Sequence, residues 1–239
     1  MTKQSQCISN VATPLGLSRR YFILLAMTEI YMKILIIVNG NINQPDFYQN
    51  LIKVSDMIIC ADGGVNHCEA LQVVPDFVIG DLDSADKKVL KELAKNDKTQ
   101  IINDPDQDKT DLELAIKLAH EFDPTEIFII GAMGDRMDHT LGNIISLSKI
   151  KNGIKAKIID EKNEIELVEN FCEIIGNKND IVSVIPFGLV HGLNYEGLKW
   201  NVKEKDVDFG WFGICNRLDG DKAKINLESG RILVIRARD

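Results

Sequence analysis

One feature constrains the fold of this chain more than any other. A series of short apolar runs each ends in glycine or beside an acid. Residues 34–38 are continuously apolar and are followed by Asn39-Gly40. Residues 57–61 end at Asp62-Gly63-Gly64, residues 77–79 at Gly80-Asp81, and residues 127–130 at Gly131. Residues 155–160 form a weaker fifth run. Short apolar runs of this kind fit strands that are buried on both faces. Helical patterns lie between them, near 84–96, 111–122 and 140–151. Strands alternating with helices predict an α/β region with a mostly parallel sheet covered by helices on both faces. In such sheets ligands bind outside the carboxyl ends of the strands. The polar residues that close each run are therefore expected to meet in one crevice.

The texture changes after residue 160. Residues 181–185, 223–227 and 232–235 are strand-like, and the middle one alternates apolar and polar residues. No convincing amphipathic helix follows, so the expected second part is an all-β sandwich. Ser229-Gly230 reads as a hairpin turn between the last two strands. The expected organisation is an N-terminal extension over 1–31, a catalytic α/β domain over 32–160 and a β-sandwich domain over 161–239. The extension has an apolar stretch after Arg19-Arg20, too short to span a membrane and without a leader cleavage pattern. The strand pattern begins only at Met32, which is taken as the natural start.

The chain has 239 residues, 45% of them hydrophobic and 27% charged, an ordinary globular balance. Its net charge of −8 argues against nucleic acid as a partner. Five cysteines without a C-x-x-C pair read as free thiols in a reducing cytoplasm.

Four stretches carry chemistry. Asp81 and Asp83, two apart at a strand end, point to one side of an extended segment and suit Mg²⁺. The same pair also fits a turn with an Asp or Ser helix cap. Residues 104–111 hold four carboxylates, a density that cations or solvent must relieve. Thr110 and Glu113 within and beside that stretch match a capping box. Asp111 shares a helical stripe with Ala115, Leu118 and Phe122, so it leans toward the buried face. There it is held either by the helix dipole or by a metal. In Asp62-Gly63-Gly64-Val65-Asn66 the paired glycines allow close backbone approach to a ligand, or an ordinary turn. Gly131 and Gly134 punctuate a loop between a strand and a helix, where backbone N–H groups can meet phosphate and Arg136 can clamp it. Asp138 could orient Arg136. No Walker A pattern and no kinase His-Arg-Asp loop occur.

These stretches, with Asp106-Gln107-Asp108-Lys109-Thr110-Asp111, stand in the order found in thiamine pyrophosphokinases. Gly197-Leu198-Lys199-Trp200 and Gly213-Ile214-Cys215-Asn216 resemble that family's C-terminal motifs. The resemblance covers residues 32–239. It implies a homodimer with sites between subunits, using ATP, Mg²⁺ and thiamine. By motif, Asp81, Asp83 and Asp111 serve the metal and the diphosphate, with Arg136 and Asp138 beside the reacting groups. Asp62, Asn66, Gln107, Thr110, Gly131 and Gly134 serve ATP. Trp200, Cys215 and Asn216 serve thiamine, whose cation and flat ring an indole face attracts. Cys215 stands where the family usually has Ser, a stronger donor. Two rival readings use the same acids: a pyrophosphokinase for another alcohol such as a hydroxymethyl pterin, and a non-catalytic nucleotide or metal sensor.

Overall fold

The computed structural model describes residues 31–95, 97–104 and 108–238. The expectations for the extension before Tyr31 and for Asp106 and Gln107 lie outside the described residues. From Met32 onward the chain is one compact unit.

Six parallel strands form first: β1 (Lys33–Ile37), β2 (Met57–Ala61), β3 (Phe77–Gly80), β4 (Gln100–Asn103), β5 (Glu126–Ile130) and β6 (Lys155–Ile159). Their order across the sheet is β6-β5-β1-β2-β3-β4. Five are the apolar runs read from the sequence. The sixth, β4, has only two apolar residues and sits at the sheet edge, partly exposed, so it carries no strong apolar signal.

Helices cover both faces. Leu35, Ile37, Cys60 and Val78 pack with Tyr48 and Leu71, which lie beside and within two short helices, α1 (Gln49–Val54) and α2 (Cys68–Leu71). A third, α3 (Lys87–Leu93), is capped by Asp86, whose carboxylate accepts from Lys88 N. The opposite face receives α4 (Asp111–Ala119), which packs on β1, β2 and β3. Strand alternation sends Ile34 and Ile36 to that side, and both are fully buried. Ala115, Leu118 and Phe122 are also buried, as the helical stripe predicts. Each such Leu or Ile contributes about 1.5–3 kcal/mol by leaving water. The last helix, α5 (Met137–Ser146), begins earlier than its apolar pattern because polar Asp138, His139 and Thr140 form its first turn.

The remaining strands are β7 (Asn163–Val168), β8 (Phe171–Ile175), β9 (Ile181–Pro186), β10 (Val190–Glu196), β11 (Val202–Val207), β12 (Gly213–Arg217), β13 (Lys222–Asn226) and β14 (Ile232–Ala237). Four of them continue the first sheet antiparallel, giving ten strands in the order β12-β9-β14-β7-β6-β5-β1-β2-β3-β4. The other four form a second sheet, β11-β10-β13-β8. The sandwich core lies between the two layers: Val168, Val182, Val184 and Val234 face Ile174, Leu193, Tyr195 and Ile225. The turn at residues 160–162 links β6 to β7, and sheet pairing crosses it, Lys157 opposite Glu166.

The hairpin expected at Ser229-Gly230 is not formed. β13 pairs with β10 and β8, whereas β14 pairs with β7 and β9 in the other layer. The segment crosses the sandwich, with Gly230 at φ +101°, where an added Cβ would lie 2.4 Å from the Leu189 carbonyl oxygen. Local turn chemistry marks a reversal but does not choose the strand's partner.

Candidate active site

The chain builds β1 to β4 outward in one direction and then returns to the other side of β1 for β5. Strand order therefore reverses between β1 and β5, which is where open α/β sheets leave a crevice. A cleft of about 580 Å³ lies there, between the loops after β1, β2 and β5 and the start of α4.

Backbone contacts set its floor. Gly40 N donates to Gly131 O at 2.6 Å, and Asn41 N donates to Met133 O at 2.7 Å. Gly131 has φ +66°, and a Cβ there would come within 2.3 Å of the Val38 carbonyl oxygen. This glycine lets the β1 and β5 loops close against each other. Gly134 N donates to Thr140 Oγ1 at 3.2 Å, so its N–H is engaged by α5.

The acids come together as the strand-end argument expects. Asp62, Asp81 and Asp83 each place a carboxylate oxygen within 4.8 Å of the others. Asp62 is 95% buried, has φ +43°, and its Oδ1 has no hydrogen-bond partner among the described residues. A buried, unpaired carboxylate oxygen is costly unless a cation meets it. The sequence reading gave Asp62 to the nucleotide; the structure places it among the acids. Asp111 stands next to them, its Oδ1 over Gly80, where a Cβ would be only 2.7 Å away. Burial, then the Asp62 and Asp81 charges, push the Asp111 carboxyl up to about 6. The donor set is hard oxygen throughout and fits Mg²⁺.

Two other assignments acquire structural work. Thr110 and Glu113 complete the capping box: Glu113 N donates to Thr110 Oγ1 at 3.2 Å and Thr110 N to Glu113 Oε2 at 3.1 Å. The paired glycines sit against the protein itself. A Cβ on Gly64 would meet the Ile37 carbonyl oxygen at 2.0 Å, and one on Gly63 the Asn39 amide at 2.3 Å. Asn66 donates to Ser84 O at 3.0 Å and accepts from Asp86 N at 2.8 Å.

Arg136 and Asp138 pair at the cleft mouth, with Arg136 Nη2 2.7 Å from Asp138 Oδ2. That hydrogen bond holds the Asp138 carboxyl down at about 2. Both side chains are exposed, so the guanidinium is free to exchange this partner for an incoming anion.

Trp200, Cys215 and Asn216 gather in the sandwich and do not line the cleft of the same chain. Asn216 is buried. Its Oδ1 accepts from Trp200 N at 3.1 Å and Arg217 N at 2.9 Å, and its Nδ2 donates to Trp200 O at 2.7 Å. Trp200 is 55% exposed, with Lys199 Nζ 4.6 Å from the ring centroid. Cys215 is exposed at φ +58°, in a bulge of the β9–β12 pairing, and its N–H donates to Ser183 Oγ.

Sequence reasoning passed over Asn39, Asn41, Asp135 and Asn143, which also line the cleft. Asn39 and Asn41 had a signal, since they flank the glycine that closes the first apolar run. Asn143 had none: it lies on α5 and donates to Ala132 O.

Two family models match the chain: thiamin pyrophosphokinase, catalytic domain, over residues 48–158, and thiamin pyrophosphokinase, vitamin B1 binding domain, over residues 163–232. The chain belongs to the thiamin pyrophosphokinase family. A thiamine pyrophosphokinase of Bacillus subtilis is 32% identical over 173 residues, 70% of this chain and 80% of that protein. Thiamine pyrophosphokinase 3 of Oryza sativa is 30% identical over 193 residues, 70% of this chain and 72% of the relative. The crystal structure of the Bacillus subtilis enzyme aligns with TM-score 0.76 at 28% identity, covering 87% of this chain and 99% of that one. Yeast thiamin pyrophosphokinase shares the fold, with TM-score 0.73 at 22% identity over 90% of this chain and 89% of that one. Family models, relatives and solved structures all indicate a thiamine pyrophosphokinase, a family of enzymes that make thiamine diphosphate.

Proposed function

We propose that the chain transfers diphosphate from ATP to the hydroxyl of thiamine, with Mg²⁺, as a homodimer whose sites lie between subunits. The observation that carries this reading is the buried Asp62 carboxylate, its Oδ1 unpartnered among the described residues, beside Asp81 and Asp83 at the strand-order reversal. Asp62, Asp81 and Asp83 would hold the metal, with Asp111 adjoining them. Bound there, Mg²⁺ supplies neutralisation of phosphate charge.

The protein's own part is alignment. The hydroxyl attacks the β-phosphorus, and AMP leaves with the electron pair of the cleaved bond. Arg136, released from Asp138, shares the charge developing on the transferred group. Asp111, adjoining the other acids at the start of α4, would receive the hydroxyl proton. Trp200 offers an exposed indole to the flat cationic substrate once Lys199 moves from its face.

The homodimer reading rests on separation and on surface. The thiamine residues do not line the acidic cleft of their own chain. Beside that cleft, Met137, Leu141 and Ile145 form an apolar stripe at helical spacing on α5, each at least half exposed. Cytoplasmic residence is supported by free thiols at Cys60, Cys68, Cys172 and Cys215. Among the described residues no helix is long and apolar enough to cross a membrane.

The test is incubation with ATP, Mg²⁺ and thiamine, measuring AMP and thiamine diphosphate. Equal amounts of both are expected. AMP release with a hydroxymethyl pterin but not with thiamine would move the substrate assignment, and ATP binding with turnover of neither would remove the enzymatic one.

A further inference from the structure

We propose that Asn66 is a positioning residue that sets the spacing of the metal-binding acids, and that it acts without touching nucleotide or metal. The inference rests on the Mg²⁺ reading above. Asn66 lies near the end of the 3-10 turn Asp62–His67, which begins with Asp62. Its two amide ends are both committed to the loop that carries the other acids: Nδ2 donates to Ser84 O at 3.0 Å, and Oδ1 accepts from Asp86 N at 2.8 Å. The side chain thus ties the Asp62 turn to residues 84 and 86, just after the Asp81–Asp83 segment.

The loop needs such a tie. Leu82 sits at φ +63°, reversing the chain between the two aspartates. Asp83 N donates back to Asp81 Oδ1 at 3.2 Å, and Ser84 Oγ donates to Asp83 Oδ1 at 2.9 Å. Those bonds aim the Asp81 and Asp83 carboxylates relative to each other. They do not fix them relative to Asp62. Three carboxylate oxygens within 4.8 Å repel one another when no cation is bound. Beyond the β2–β3 ladder, whose last pair is Ala61 and Ile79, the described hydrogen bonds that oppose this spreading between the turn and the loop are the two made by Asn66. Asp86 extends the connection, since it also caps α3 through Lys88 N at 2.6 Å. The anchor is therefore a helix start, not a free loop.

A group that orients ligands without ligating typically changes metal affinity by about 10–100-fold. The experiment is titration of the full chain with Mn²⁺ and no nucleotide, following free Mn²⁺ by electron paramagnetic resonance. Wild-type, Asn66→Ala and Asn66→Asp proteins are compared, with ATP binding measured separately in the absence of metal. Asn66→Ala is expected to weaken Mn²⁺ binding about tenfold or more, with metal-free ATP binding unchanged. Asn66→Asp keeps the acceptor for Asp86 N and loses the donor to Ser84 O, so it should also bind Mn²⁺ more weakly than wild type. Because it retains half the tie, it carries the test if the alanine variant does not fold. Mn²⁺ affinity unchanged in Asn66→Ala, with ATP binding lost, would make Asn66 a nucleotide contact and overturn the proposal. Tighter Mn²⁺ binding by Asn66→Asp would overturn it too, by placing position 66 against the ion. If wild-type protein binds no Mn²⁺ while the fold is intact, the metal reading itself fails and takes this proposal with it.

Discussion

The two ends of the long sheet treat their polar groups in opposite ways. At the strand ends of β1 to β5, Asp62 is buried with an unpaired oxygen, Asp111 holds its proton unusually tightly, and Asp62 and Leu82 occupy left-handed backbone. At the sandwich end, Asn216 is equally buried but both ends of its amide are paired, the oxygen with Trp200 N and Arg217 N and the nitrogen with Trp200 O. The half-buried charges between β6, β7 and β14 are paired as well, with Lys157 2.7 Å from Glu164 and Arg236 3.8 Å from the same carboxylate. One region holds a buried carboxylate oxygen that no described residue pairs, which suits the metal-binding role proposed for it. The other has its buried polar groups paired and presents Trp200 to solvent. Unpaired burial therefore distinguishes a reaction site from a platform better than the mere presence of polar residues.

Substitutions can break this contrast. The largest effect is expected at the acidic end. Asp81→Asn should lower turnover by about a hundredfold or more, since charge neutralisation dominates this chemistry, while circular dichroism and melting remain native. Near-wild-type turnover at saturating Mg²⁺ would contradict the assignment. The sandwich end should respond in stability instead. Asn216→Ala leaves the Trp200 N–H and C=O without their part-buried partner and should cost about 1 kcal/mol in urea unfolding. It should also raise the KM for thiamine with little change in kcat, because it loosens Trp200 and leaves the acids intact.

The smallest effect concerns pH. Asp111 has a folded-state pKa of about 6 against an ordinary 3.8. The folded protein thus holds this proton more tightly than the unfolded chain does. Metal-free protein should gain stability as pH falls from above 6 toward 4, and lose it again as pH rises through 6. Asp111→Asn should remove that dependence and stabilise metal-free protein near neutral pH by about 1 kcal/mol, a value reduced for the group's partial exposure to solvent. Denaturant melts in a chelator, at several pH values, measure this directly. A steeper pH dependence in the variant would show that other carboxylates carry the effect.

The sequence made the parallel half legible because continuous apolar runs and terminal glycines are local signals. β7 was hidden because Glu164 and Glu166 interrupt its apolar pattern, and only pairing with Lys157 and Arg236 on neighbouring strands explains them. The same limit governs Ser229-Gly230, where the turn was readable and the partner layer was not. At the site, the capping box and the Asp111 stripe were readable because both repeat along one helix. That Asp62 joins Asp81 and Asp83 depends on β2 and β3 lying side by side, a fact of topology. The engagement of Asn66 and Gly134 in hydrogen bonds was equally invisible, since motif spacing identifies a residue type but not its partner.

The unbroken ladder from β6 to β7 has a consequence for dissection of the molecule. Severing the chain at residue 160 would leave β6 with a bare row of backbone N–H and C=O groups along a strand with three buried residues. Such an edge recruits other strands and promotes aggregation. The two halves can be named separately, but they share one continuous beam, and neither end can swing on a hinge at that seam without first breaking it.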